Sequence, residues 1–243
     1  MLSSLETPTL KDFFKFLGLF LLYALLSYPL RKVFPGLKGT EYESILVDLI
    51  LLTALYPAAR KAGFDFKRLR AYWNGLKAEA RPALKYFLLM TALLFAADKV
   101  YTLLLAPWDL PWTNALLFWN DQSHNPATLD ARLEALLAHP ALLPAYLFGL
   151  CAVAPVSEEF LLRRWLYVAT RRYLPLAAAL LANAALFGAL HGLDFVATGL
   201  AGLFFCWVYE RTGRLETPVL VHCFTNLLAV AMLFSEKLFG FSF

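Results

Sequence analysis

What most constrains this chain is that stretch after stretch of it is apolar over lengths that match a lipid bilayer. Crossing the hydrocarbon core takes about 20 mostly apolar residues per helix, and Phe13–Leu30, Ser44–Ala59 and Leu84–Ala106 approach or exceed that length. In the second half the pattern resumes as Pro140–Val156 continuing through Leu161–Thr170, then Leu174–Leu190, Val196–Val208 and Pro218–Phe234. Composition agrees with this pattern. Of 243 residues 60% are apolar and only 16% are charged, with mean hydropathy +0.59, where a soluble domain carries about 25% charge. The expected fold is an all-α, polytopic transmembrane helical bundle of about seven to eight spans, because helices satisfy their own backbone in lipid. Two segments fall short of a full crossing, which predicts tilted or broken helices.

Charge placement predicts an orientation. The segment Arg60–Arg81 holds seven Lys and Arg residues, and such clusters stay on the cytoplasmic side. With that loop inside, alternation also puts Arg171, Arg172, Arg211 and Arg214 inside, while the long Pro107–His139 connection, with Trp108, Trp112 and Trp119, lies on the outer interface. The N-terminus is then cytoplasmic, and the setting is an integral protein of a cell membrane, read as the bacterial cytoplasmic membrane. Met1–Lys11 lacks a basic run, and no small-residue cleavage site follows, so a removed signal peptide is not expected. The net charge of +4 sits in juxtamembrane loops, which makes the lipid bilayer, not nucleic acid, its partner. Cys151, Cys206 and Cys223 show no paired spacing and read as buried thiols.

The chain divides near His139. Residues 1–138 carry no recognisable motif and are read as helices for docking a substrate or a partner membrane protein. Their Asp48 and Asp98, the second adjacent to Lys99, read as locally paired or facing a polar cavity, with a functional role the minority alternative. In residues 139–243 ionisable side chains enter the apolar runs, where each costs several kcal/mol and marks a candidate site. Glu159 and Arg163, four apart, share a helix face and can pair. Glu158 points about 100° away from Glu159 and lacks that partner. Phe187 and His191 share a face at the end of the Leu174–Leu190 span, and His222 and Asn226 lie one turn apart in the last span.

Taken singly, each has a plainer reading: a structural clasp, a hydrogen-bonded packing histidine, an interhelical asparagine. Together they supply what acyl hydrolysis requires. A carboxylate and an imidazole can deprotonate a water held between them, and a second imidazole with a carboxamide can donate to the oxyanion.

The ordered trio Glu158-Glu159 with Arg163, Phe187 with His191, and His222 with Asn226 resembles the CAAX-protease and bacteriocin-processing family, also known as CPBP or Abi, relatives of the eukaryotic CAAX-processing endoprotease. The stretch Tyr209-Glu210-Arg211-Thr212-Gly213-Arg214-Leu215 extends the likeness. The resemblance implies a glutamic-type intramembrane protease that cleaves a membrane-associated or lipid-modified protein. By that likeness Glu158 is the general base and His191 helps to activate water. His222 and Asn226 hold the oxyanion. Glu159 and Arg163 form a supporting pair, with a direct role for Glu159 left open, and Phe187 supports the site. Arg164 departs from the small residue often found after the motif arginine. No cofactor is implied. A zinc variant is the alternative that Glu and His allow, although H-E-x-x-H spacing is missing. A catalytically inactive scaffold or immunity protein of the same fold competes with the protease, and so, further off, does a proton-coupled transporter. Alternation puts His191 near the exported end of its helix and His222 near the cytoplasmic end of its own, so the two meet only if helices tilt or break.

Overall fold

The computed structural model describes residues 65–100, 139–191 and 195–239 without a break, together with single residues between 9 and 60 and between 103 and 138. The spans read at Phe13–Leu30 and Ser44–Ala59 and the tryptophan-bearing connection fall largely outside the described residues. Asp48 and the side chain of Asp98 fall outside them too. Every described element is helical, and among the described residues no strand occurs. The count of seven to eight spans reaches beyond them. Two helices, Pro140–Thr170 and Glu216–Ser235, are long and apolar enough to cross a membrane.

Helix α1, Leu69–Val100, runs for 32 residues, about 48 Å at 1.5 Å per residue. It corrects the reading of Arg60–Arg81 as a loop, since Leu69–Arg81 belongs to the helix. The reason is local: Ala, Leu, Lys, Glu and Arg are strong helix formers whatever their polarity. The basic residues decorate the polar half of one long helix, where Lys77 lies 5.3 Å from the ring of Trp73, one turn back.

Helix α2, Pro140–Thr170, is a single 31-residue helix whose pitch changes along its length. It opens on a tight turn, and widens to i→i+5 bonding at Gly149–Val153 and again at Phe160–Tyr167. Pro155 explains the first widening. Proline has no N–H to donate, and the N–H of Ala154 just before it reaches back five residues to the Gly149 carbonyl. Such π-type turns carry local register shifts in otherwise regular helices.

Helices α3, Leu176–Leu190, and α4, Phe195–Thr212, form the most closely packed pair among the described residues. Small residues set their spacing. A Cβ at Gly202 would come 2.8 Å from Cβ of Phe187, and one at Gly199 would lie 3.4 Å from the Ala184 carbonyl oxygen. Close approach through glycine is how helices gain packing contacts where lipid supplies no hydrophobic drive. Helix α4 stops at Gly213, whose φ of 63° is a left-handed conformation that glycine adopts without a Cβ penalty.

Helix α5, Glu216–Phe239, then returns along α1. Glu79 of α1 is buried, accepts a 2.8 Å hydrogen bond from Thr217 Oγ1 and pairs with Arg214. Arg171 meets Glu210 at 3.4 Å, and Tyr167 donates to the same carboxylate at 2.7 Å. Arg171 and Arg214 therefore gather at one end of the bundle. The core joins Ala83 and Met90 of α1 to Leu162 and Trp165 of α2, Phe187 of α3, Phe205 of α4 and Val221 of α5.

The distribution of polarity is that of a protein solvated by lipid. Phe148, Leu181, Leu190 and Leu227 face outward, while Glu159, Arg163, Asn183, Thr217 and His222 are buried. Substituting Gly202→Ala sets a methyl group 2.8 Å from Cβ of Phe187, so the ring or the helix pair must shift. The expected cost is about 1–3 kcal/mol of overpacking, measured as a lower melting temperature of the purified protein in detergent, with a conservative change at exposed Leu227 as the control.

Candidate active site

Three helices bring the motif residues together around one aromatic ring. Helix α2 carries Glu158, Glu159 and Arg163 through the point where its first widened turn gives way to the second. Adjacent residues diverge by about 100°, so the two glutamates part. Glu159 is fully buried against α4 and α5, while the Glu158 side chain keeps 28% of its surface exposed.

Glu159 and Arg163 form the ion pair expected from their spacing, with Arg163 Nε 2.9 Å from Glu159 Oε2 and both side chains 0% exposed. The contact is too bent to count as a hydrogen bond, so it is a charge pair held by its surroundings. Arg163 Nη2 donates to the Gly202 carbonyl at 3.3 Å. Its guanidinium lies 4.7 Å from the centre of Phe187 and 5.5 Å from that of Phe205, which suits a cation that must leave water. The other oxygen of Glu159 is 3.0 Å from His222 Nδ1. One carboxylate thus engages a guanidinium and an imidazole at once.

His222 is 6% exposed. Its ring stacks on Phe205 with centroids 4.8 Å apart and planes 18° from parallel, and meets the Phe187 ring edge at 6.0 Å. His191 caps the end of α3, and its Nδ1 folds back to the Phe187 carbonyl at 2.7 Å. The ring centroids of His191 and Phe187 lie 4.5 Å apart. Both histidines therefore touch Phe187. Helix α3 has 15 residues, about 22 Å, so it ends well short of a roughly 30 Å hydrocarbon core. With α3 this short, His191 at its end and His222 of α5 reach the same ring, Phe187.

His191 Nε2 lies 4.0 Å from Glu158 Oε2. That oxygen is screened from solvent and has no hydrogen-bond partner among the described residues. A water about 2.8 Å from each atom fits this gap with an angle of about 90° at its oxygen.

Asn226 points to α2, as its spacing from His222 requires, and donates from Nδ2 to the Leu150 carbonyl at 2.8 Å. That carbonyl is one the helix cannot satisfy. Its i+4 partner, Ala154, is bonded to Gly149, and its i+5 partner is Pro155, which has no N–H. A carboxamide has two N–H groups, so one docks α5 onto α2 and the second remains for another acceptor.

The sequence reading missed Gly202, which accepts from Arg163, and Phe205, which orients His222. It also missed Glu79, which anchors the start of α5 five residues before His222. No signal along the chain singles these out, since each acts on a partner far away in sequence. The buried Arg164 has its Nε without a hydrogen-bond partner among the described residues, and nothing in the structure explains its departure from a small residue.

Polar groups converging inside a lipid-solvated helical bundle define an integral membrane protein with an internal carboxylate and imidazole site. Residues 140–228 match the family model described as Rce1-like, type II CAAX prenyl endopeptidase Rce1-like. Over that segment the chain is similar to proteases of the CAAX endopeptidase type. No curated protein and no solved structure matches the chain.

Removing one member of the buried pair leaves the other charged and unpaired. Arg163→Leu is expected to destabilise by about 3–5 kcal/mol, and the double change Arg163→Leu with Glu159→Gln to recover part of that loss. Both are read as melting temperatures in detergent. Asn226→Ala orphans the Leu150 carbonyl and is expected to cost about 1–3 kcal/mol. Asn226→Asp, which sets an acceptor against an acceptor, is expected to melt lower still.

Proposed function

We propose that the chain is an intramembrane endopeptidase that hydrolyses a peptide bond of a membrane-associated or lipid-modified protein with water activated by Glu158 and His191. The observation that carries this reading is the division of labour between adjacent glutamates. Each oxygen of Glu159 has a close partner, Arg163 at 2.9 Å and His222 at 3.0 Å, whereas the screened Oε2 of Glu158 stands 4.0 Å from an imidazole nitrogen, room for a bridging water.

The chemistry follows from the hydrogens. His191 Nδ1 faces a carbonyl, which only accepts, so Nδ1 carries the proton and Nε2 is a bare acceptor. Glu158 takes one proton of the water while His191 Nε2 accepts a hydrogen bond from the other, and the hydroxide oxygen bonds the scissile carbonyl carbon. The carbonyl π electrons move to oxygen. His222 and the uncommitted N–H of Asn226 hold that oxyanion, a contribution of about 3–4 kcal/mol per well-placed donor. The aromatic walls of Phe187 and Phe205 keep bulk water away, which strengthens every charge interaction inside. Residues 1–138 dock the substrate or a partner, and α1, Leu10 and Leu17 of that segment pack against the core.

The first probe is a farnesylated peptide with a C-terminal CAAX sequence, the substrate type in the family's name, beside a non-prenylated membrane peptide. Cleavage by wild type is expected to fall at least about 10²-fold in Glu158→Gln and in His191→Ala, at unchanged melting temperature and with no effect of a zinc chelator. Processing that persists in Glu158→Gln overturns Glu158 as the base, and absence of cleavage by wild type overturns the protease reading and leaves a scaffold of the same fold. Loss in the presence of chelator redirects it to a metal mechanism.

A further inference from the structure

The two histidines of the site differ in one respect. Each commits Nδ1 to an acceptor, but for His191 the acceptor is the neutral carbonyl of Phe187 at 2.7 Å, and for His222 it is the Glu159 carboxylate at 3.0 Å. In both, Nδ1 is the donor and therefore holds a proton. A neutral ring so arranged has a bare Nε2. That suits His191, whose Nε2 faces the water site, but not His222, which can donate to an oxyanion only from a protonated Nε2. The oxyanion task thus requires two protons on His222.

The charges around His222 accommodate that form. Arg163 and Glu159 cancel, so a doubly protonated His222 leaves one positive charge, which the oxyanion then neutralises. The group of four is electrically balanced in the transition state and unbalanced before it, the condition for stabilising the transition state selectively. Passing the Nε2 proton onward as the oxyanion collapses keeps the balance, because one positive and one negative charge vanish together. The ring itself cannot turn away: it stacks on Phe205 at 4.8 Å and abuts Phe187 at 6.0 Å.

Resting on the protease reading above, we propose that His222 is the general acid of the reaction, with Glu159 holding its Nδ1 throughout. As the tetrahedral intermediate collapses, the oxyanion electrons re-form the carbonyl and the C–N bond breaks. The leaving nitrogen takes the Nε2 proton and departs as a neutral amine. Glu158 is left protonated and His222 neutral. A proton passed from the first to the second through water or the product acid restores both. His222 is thus a proton donor as well as an oxyanion contact, and Glu159 is its positioning residue.

The test uses the leaving group. An amide nitrogen cannot depart without a proton, while an ester oxygen leaves far more readily. Once the cleavage position in the farnesylated peptide is mapped, a matched peptide carrying an ester at that bond is compared with the amide, using the full chain in detergent. Glutamine at position 222 keeps an N–H donor but cannot deliver a proton. His222→Gln is expected to lower amide cleavage about 10²-fold or more and ester cleavage at least tenfold less than that. Asn226→Ala, which removes an oxyanion contact and the anchor to Leu150 but no proton donor, is expected to lose equally on both substrates. Equal losses for His222→Gln, or unchanged amide cleavage, overturn the proposal. Melting temperatures separate misfolding from lost chemistry, and His222→Asn replaces the glutamine variant if that one melts low. Two further controls distinguish the levels. If wild type cleaves neither substrate, the protease reading has failed. If Glu158→Gln still cleaves both, Glu158 is not the base, while the amide-to-ester contrast of His222→Gln still tests the role of His222.

Discussion

The buried pair of Glu159 and Arg163 is the constraint on which the rest of this bundle depends. Two unit charges at 0% exposure, in a protein surrounded by lipid, carry a desolvation cost of several kcal/mol per ion. The structure offsets it with more than their mutual attraction. The Gly202 carbonyl takes one guanidinium hydrogen, two aromatic faces flank the cation, and His222 takes the second carboxylate oxygen. Each of these partners comes from a different helix than the pair. The ion pair therefore sets the positions of α4 and α5 relative to α2, and Phe187 of α3 lies between them.

A second constraint works through the backbone. Pro155 sits in the middle of a membrane-length helix and deprives the turn before it of a donor. The helix answers by widening at Gly149–Val153, and Asn226 supplies the hydrogen bond that the Leu150 carbonyl cannot find within α2. Broken helical bonding at membrane depth persists only where protein groups re-satisfy it. Here that repair also holds α5 in the register that puts His222 beside Glu159, so the irregular turn and the site are parts of one arrangement.

Much of this was legible along the chain. Apolar length marks the Pro140–Thr170 and Glu216–Phe239 helices, and four-residue spacing correctly pairs Glu159 with Arg163 and sets His222 and Asn226 on one face of α5. The segment Leu69–Arg81 misled because basic residues were read as a loop, although helix propensity does not depend on facing lipid. Phe205 and Gly202 were invisible for another reason: a phenylalanine and a glycine in an apolar run look like every other lipid-facing or packing residue until the partner helix is placed.

The sequence by itself determined that the chain is helical, that it partitions into lipid, and which ionisable residues would have to find partners there, because hydropathy and the cost of buried charge are properties of residues and their near neighbours. Only the tertiary structure decided that Glu158 faces an imidazole, that the two histidines meet on Phe187, and that Asn226 serves the Leu150 carbonyl. Those outcomes depend on the short length of α3, the widened turns of α2 and the close glycine-mediated approach of α4, and such distances between helices are not written in the spacing along any one of them.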